Sequence, residues 1–230
     1  GVTELEQDYI MAQSTRFNGD ANTDRVPLDI AYAVAMETVS DKYSGNHDVA
    51  ALFAEALMNT MPWNYWAEDG NPRPDTVKVI SKLETVLEQQ PDHPLALHLY
   101  IHAVEASSTP ERAEAAADIL ADLVPGAGHL VHMPAHIYWR VGRYNDASEA
   151  NIRAADVDEE YIGQCNAQGF YPALYYPHNI HFLWAASTME GRSELSIASA
   201  IRVAKNVSLD QIKQFPTVEF FQTIPLLSYV

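Results

Sequence analysis

Apolar positions in this chain recur at three- and four-residue spacing, and no segment alternates apolar and polar residues as a half-buried strand would. The stretch 47–61 shows the pattern. Ala50, Phe53, Ala54, Leu57 and Met58 fall on one helical face. Prolines and glycines divide the chain into about eleven predicted helices. The spacing predicts helices over 3–16, 27–43, 47–61 and 75–90, with Pro27 in a first turn and Pro91 as a stop. From there the elements fall into pairs: 94–107 with 111–123, 132–141 with 144–156, and 177–189 with 193–205. A further helix begins at Thr217. Short connections make successive helices antiparallel, so the expected class is all-α, an array of helical hairpins.

Two segments interrupt this regularity, about 62–74 and 157–174. Both are aromatic. The first carries Trp63, Tyr65 and Trp66; the second and its continuation carry Tyr161, Phe170, Tyr171, Tyr175 and Tyr176. Loops of this length inside a regular array are frequently functional, and these rings either line a groove or fill space between splayed helices.

The histidines add a period. His98 and His102 are one helical turn apart, and adding 34 to each gives His132 and His136. His178 and His181 form a third pair. The shift of 34 also maps Pro91 onto Pro125, Ala113 onto Ala147 and Ala116 onto Ala150. Gly142, Tyr144, Ala147 and Ala154 follow as an inter-helix glycine, an aromatic and two small packing residues.

On these residues the chain resembles the tetratricopeptide-repeat superfamily, whose unit is a helix–turn–helix of 34 residues. The resemblance covers 91–156 and 175–205 best. The stretches HPLALHLYIHAVEAS, GHLVHMPAHIYWRVGRY and YYPHNIHFLWAA further resemble a group of His-rich bacterial repeat proteins without a settled activity. The resemblance implies a right-handed superhelix of antiparallel helix pairs, with 1–230 read as one repeat domain and as a fragment of a longer protein. It also implies a concave groove lined by the first helix of each pair. In that register His98, His102, His129, His132, His136, His178 and His181 face the groove, whereas His47 and His93 sit near helix starts as capping or surface residues.

Imidazoles converging from several helices are what a transition-metal site needs. The expected ligands are His98, His102, His132, His136, His178 and His181, with His129 weaker because it lies near the turn. Pro134 complicates the register, since a helix beginning near Met133 would leave His132 at its cap. A donor set rich in imidazole and free of thiolate suits a divalent transition metal, zinc first, with copper, nickel or iron as alternatives. Glu105, one turn after His102, and Glu55, on an otherwise apolar helix, are the candidate carboxylates for ligation or proton transfer. Glu105 is equally readable as an ion-pair partner of Arg140, and Cys165 as an inert thiol. Arg140 and Arg143 could hold a carboxylate or phosphate, although an ordinary surface ion pair explains Arg143 as well.

Composition removes several functions. With 14 basic against 31 acidic residues the formal charge is −17, which argues against nucleic acid and anionic membrane partners and allows a cationic one. One cysteine excludes an internal disulfide, and no apolar run reaches the length of a membrane span. The composition fits a soluble protein, cytoplasmic in the first instance, with a lost secretion signal left open. There is no phosphate-binding glycine loop, GxSxG, CxxC or HExxH. Two functions from different classes remain: a metal-binding repeat protein, with hydrolytic activity on an unnamed substrate left open, and a peptide- or protein-binding scaffold without metal. A purely structural assembly module is the third.

Overall fold

The computed structural model describes residues 1–20 and 22–229. It is all-α, with antiparallel helix pairs and, among the described residues, no strand beyond an isolated bridge between Trp66 and Pro72. The chain forms two compact units, Gly1–Thr109 and Pro110–Val230.

In the first unit α1 (Glu4–Ser14) is opened by a capping box between Thr3 and Glu6, and α2 (Arg25–Lys42) by Asp24. Asn46 caps α3 (His47–Asn59), α4 (Pro74–Gln89) has proline in its first turn, and α5 (Pro94–Val104) is capped by His93. The His93 ring accepts from Ala96 N–H and meets Asp48 at 3.1 Å, while His47 bonds Gln89 and Gln90. These two imidazoles serve helix ends. The segment 60–73 is a folded loop rather than a splaying insert: Trp66 Nε1–H donates to Ala103 O at 2.8 Å, and Thr76 Oγ1 donates to Tyr65 O at 2.6 Å. Trp63, with φ of 60°, remains mostly exposed.

The second unit opens with a 3₁₀ turn at Pro110–Ala113 and continues through α6 (Glu114–Leu123), α7 (Gly128–His132), α8 (Pro134–Arg140) and α9 (Tyr144–Cys165). A π-helical turn, Tyr171–Tyr175, leads into α10 (Tyr176–Met189), followed by α11 (Ser193–Asn206) and α12 (Leu209–Gln214). The 3₁₀ segment Pro216–Thr223 and α13 (Ile224–Leu227) close the chain.

Two turns of this unit are built alike. Gly142 (φ 82°) and Gly191 (φ 72°) each take the left-handed conformation after a helix. The following N–H reaches back to the carbonyl five residues earlier, Arg143 to Tyr138 at 2.8 Å and Arg192 to Ser187 at 3.0 Å. Such a cap consumes the last free carbonyls and turns the chain sharply, which is why glycine recurs there. Close packing of α9 follows from its buried Ala147, Ala150, Ala154 and Ala155. Ala155 joins Tyr176, Ile180, Ala200, Val203 and Phe221 in one apolar cluster.

The expected insert 157–174 is a correction. No proline stands between Asp156 and Cys165 and Gly163 is carried within the helix; Asp158 is buried and Ile162 packs against the core, so α9 runs to Cys165 and Asn166, with φ of 46°, ends it. The remainder winds into the π turn just ahead of Pro177. There Tyr176 N–H reaches Tyr171 O, one residue further back than in an α-helix.

Candidate metal centre

The site is carried by three helices of the second unit. His132 ends α7 and His136 lies in the first turn of α8, with Met133 (φ −49°, ψ −39°) keeping the backbone helical between them. The helix begins at Gly128, four residues earlier than expected, so His132 is not left at a cap. Pro134 opens the next helix without breaking the face: the His132 and His136 ring centroids are 4.8 Å apart. From α10, His178 brings its ring to 4.8 Å from His132 and 5.6 Å from His136. One donor nitrogen from each of the three lies within 4.8 Å of the others.

Hydrogen bonding determines which face of His132 is available. Asn151, fully buried on α9, donates through Nδ2 to Ala147 O at 2.7 Å, which orients its amide. Its Oδ1 therefore faces His132 Nδ1 at 2.6 Å and can only accept, so the proton sits on Nδ1. Burial first, and the imidazoles of His136 and His178 next, hold His132 well below the ordinary histidine pKa. The ring is neutral, and Nε2 presents a lone pair. That lone pair lies 2.9 Å from His136 Nε2, close enough that a proton or a cation must stand between them.

Around the triad the packing is aromatic and the supporting polar groups are on α9. Phe182, one turn after His178, lies 4.9, 4.5 and 4.9 Å from the rings of His132, His136 and His178. Seven residues beyond Asn151 on the same helix, Asp158 is also fully buried. It accepts from Tyr171 Oη at 2.6 Å and from Asn179 Nδ2 at 2.7 Å, and burial pushes its carboxyl above the usual range despite both bonds. A Cβ on Gly128 would stand 1.9 Å from Asp158 Oδ1, so only glycine fits there. Thus α9 supports α7 at both ends, Asp158 against Gly128 and Asn151 against His132.

The other expected residues make contacts of their own. His181 stacks on Trp184 at 5.3 Å and meets Phe220 and Phe221, and burial lowers its pKa. His129 lies 6.1 Å from His132 and edge-on to Tyr175 at 4.8 Å. In the first unit the His98 and His102 rings are 4.9 Å apart, His102 Nδ1 meets Glu105 Oε1 at 2.9 Å, and Trp63 contacts His102 edge-on. Glu55 is half-buried beside Tyr32 and Arg16, its carboxyl raised by burial and partly relieved by the Arg16 charge. Among the described residues no hydrogen bond or ion pair joins Glu55 to a histidine. Arg143 is engaged by Glu114, Asp118 and Asp146, the ion-pair alternative for that residue.

Asn151, Asp158 and Phe182 carry much of this geometry, and the sequence reading did not single them out. Their signal is modest: two polar residues seven apart among alanines, and an aromatic at His178 plus four.

No protein-family profile matches the chain, and no curated protein matches it. Among solved structures it is similar to residues 41 to the end of MamA from Desulfovibrio magneticus RS-1, with a TM-score of 0.62 and 11% identity, over 89% of this chain and 96% of that one. MamA contains tetratricopeptide repeats, and the likeness supports a tetratricopeptide-like helical fold for this chain.

Proposed function

We propose that this is a metal-binding tetratricopeptide-like protein whose second unit holds one divalent transition ion, zinc first, on His132, His136 and His178. The observation that carries the reading is the His132 Nε2 lone pair, fixed by Asn151, facing His136 Nε2 at 2.9 Å with His178 beside both. Zinc–imidazole bonds of about 2.0–2.1 Å place tetrahedral donors about 3.3 Å apart, so the pair needs to open by only a few tenths of an ångström. A buried neutral imidazole with its other nitrogen hydrogen-bonded is the usual form of a metal-ligating histidine. His98 and His102, the latter oriented by Glu105, are proposed as a donor pair of the first unit. Three imidazoles leave a coordination position for a further ligand, and an ion held there would supply Lewis acidity suited to hydrolysis. Whether the protein is an enzyme is a separate question from whether it binds the ion.

The test is a zinc titration of untagged, chelator-stripped protein against a chromophoric indicator. One tight equivalent should be lost in His178→Ala and retained in His181→Ala. Absence of stoichiometric uptake by the wild type would contradict the reading.

A second reading, a peptide-binding scaffold without metal, is favoured by the tetratricopeptide-like fold and, through the −17 charge, points to a cationic segment. Binding to a peptide array that persists in chelator would support it.

A further inference from the structure

We propose that Tyr171 is a redox-active tyrosine, giving one electron to an oxidant met at Tyr161 and its phenolic proton to Asp158. Every group involved belongs to the second unit, and none is a ligand in the metal reading above. Tyr171 Oη donates to Asp158 Oδ1 at 2.6 Å. The Tyr171 ring lies 5.3 Å from that of Tyr175, with planes 21° apart, and meets Tyr161 edge-on at 5.5 Å. Tyr161 is 47% exposed, so one ring-to-ring step links solvent to the Tyr171–Asp158 pair.

Loss of an electron makes a phenol O–H strongly acidic, and the radical persists where a base takes that proton. Other tyrosines also donate to carboxylates, but those carboxylates are poorer bases. Asp8, Asp118 and Glu159, the partners of Tyr43, Tyr138 and Tyr176, are each ion-paired, with Lys42, Arg143 and Arg202. Glu84, the partner of Tyr100, is only half-buried. Asp158 is fully buried, and among the described residues its side-chain partners are Tyr171 and Asn179, with no cation beside it. Burial has raised its proton affinity. Taking the Tyr171 proton turns a buried anion into a neutral acid, so oxidation here relieves a desolvation cost. Burial first, and Asp158 next, also raise the Tyr171 pKa, which keeps the phenol protonated until an electron leaves.

An oxidant of the peroxyl-radical class takes one electron from Tyr161 and leaves as a hydroperoxide after protonation by water. Tyr161 releases its phenolic proton to water. Tyr171 then returns an electron to the Tyr161 radical, which regains a proton from water, while the Tyr171 proton moves to Asp158 Oδ1. The products are a neutral Tyr171 phenoxyl radical and a neutral carboxylic acid beside it.

The experiment uses chelator-stripped full-length chain, oxidised by a laser flash on tris(bipyridyl)ruthenium(II) with persulfate, then freeze-quenched and read by electron paramagnetic resonance. Wild type should give a tyrosyl signal that Tyr171→Phe abolishes. Tyr138→Phe, whose carboxylate partner is paired with Arg143, should leave it unchanged. Asp158→Asn, which cannot take the proton, should shorten the radical's lifetime at least about tenfold, the factor carried by one unit of proton affinity. Tyr161→Phe, at an exposed position that spares the fold, should lower the yield and keep the line shape. An equal tyrosyl signal in wild type and Tyr171→Phe overturns the proposal, as does a wild type that forms only tryptophan radicals. An unchanged lifetime in Asp158→Asn overturns the role of Asp158. Should the two buried variants fail to fold, an unchanged yield in Tyr161→Phe overturns the relay by itself.

Discussion

Asn151 Oδ1 lies 2.6 Å from His132 Nδ1, and the bond from Asn151 Nδ2 to Ala147 O makes that contact directional. The amide fixes the tautomer of a buried ring and thereby decides which nitrogen can serve as a ligand. Removing such a support typically costs 10–100-fold in metal affinity. Asn151→Ala should therefore weaken zinc by about that factor, whereas Asn151→Asp, which keeps the acceptor, should hold most of it. Competition with a chromophoric chelator measures both, and equal affinity in the two variants would show that Asn151 only packs.

At the other end of α7 the expected effect is on stability. Gly128→Ala places a methyl where Asp158 Oδ1 stands, and overpacking of this kind costs about 1–3 kcal/mol. Tyr171→Phe leaves Asp158 without one of its two side-chain donors, with a cost of about 1–3 kcal/mol for a buried acceptor. Chemical denaturation in chelator should show both losses, and a loss below 0.5 kcal/mol in both (roughly the scatter of neutral surface substitutions) would contradict the packing described.

His181 provides a pH test away from the triad. Burial among Trp184, Phe220 and Phe221 lowers its pKa in the folded state. The unfolded chain then takes up a proton first as pH falls below about 6.5, so stability present above that value is lost on acidification. His132, more deeply buried, acts in the same direction. In chelator, His181→Phe should flatten the decline in stability between about pH 6.5 and 5 without abolishing it. An unchanged slope would show that His181 is not held neutral by its surroundings.

How much of this was legible in the sequence depends on the kind of signal. Gly142 and Gly191 marked their turns because a left-handed residue after a helix strongly favours glycine. The spacing of His132 and His136 placed both rings on one face, and a proline between them did not alter it. The length of α9 was misjudged because a repeat register ended it at Asp156, while the buried Asp158 and the packing of Ile162 carry it past Gly163 to Cys165. His178 and His181 were both read as groove-facing ligands, His181 ahead of His178. On a helix three residues correspond to 300°, a rotation of about 60° between the side chains. That rotation separates a ring on the triad from one on Trp184, and the Phe220 and Phe221 contacts come from a later segment with no repeat pattern.

The most direct measurement is an anomalous difference map at the zinc edge from crystals of the untagged protein grown with zinc. The account predicts a peak bonded to His132 Nε2 and His136 Nε2 and to a ring nitrogen of His178, each at about 2.0–2.1 Å, with the Asn151 contact to Nδ1 intact. An empty triad with the His132–His136 contact unchanged, and zinc bound only at surface carboxylates, would contradict it.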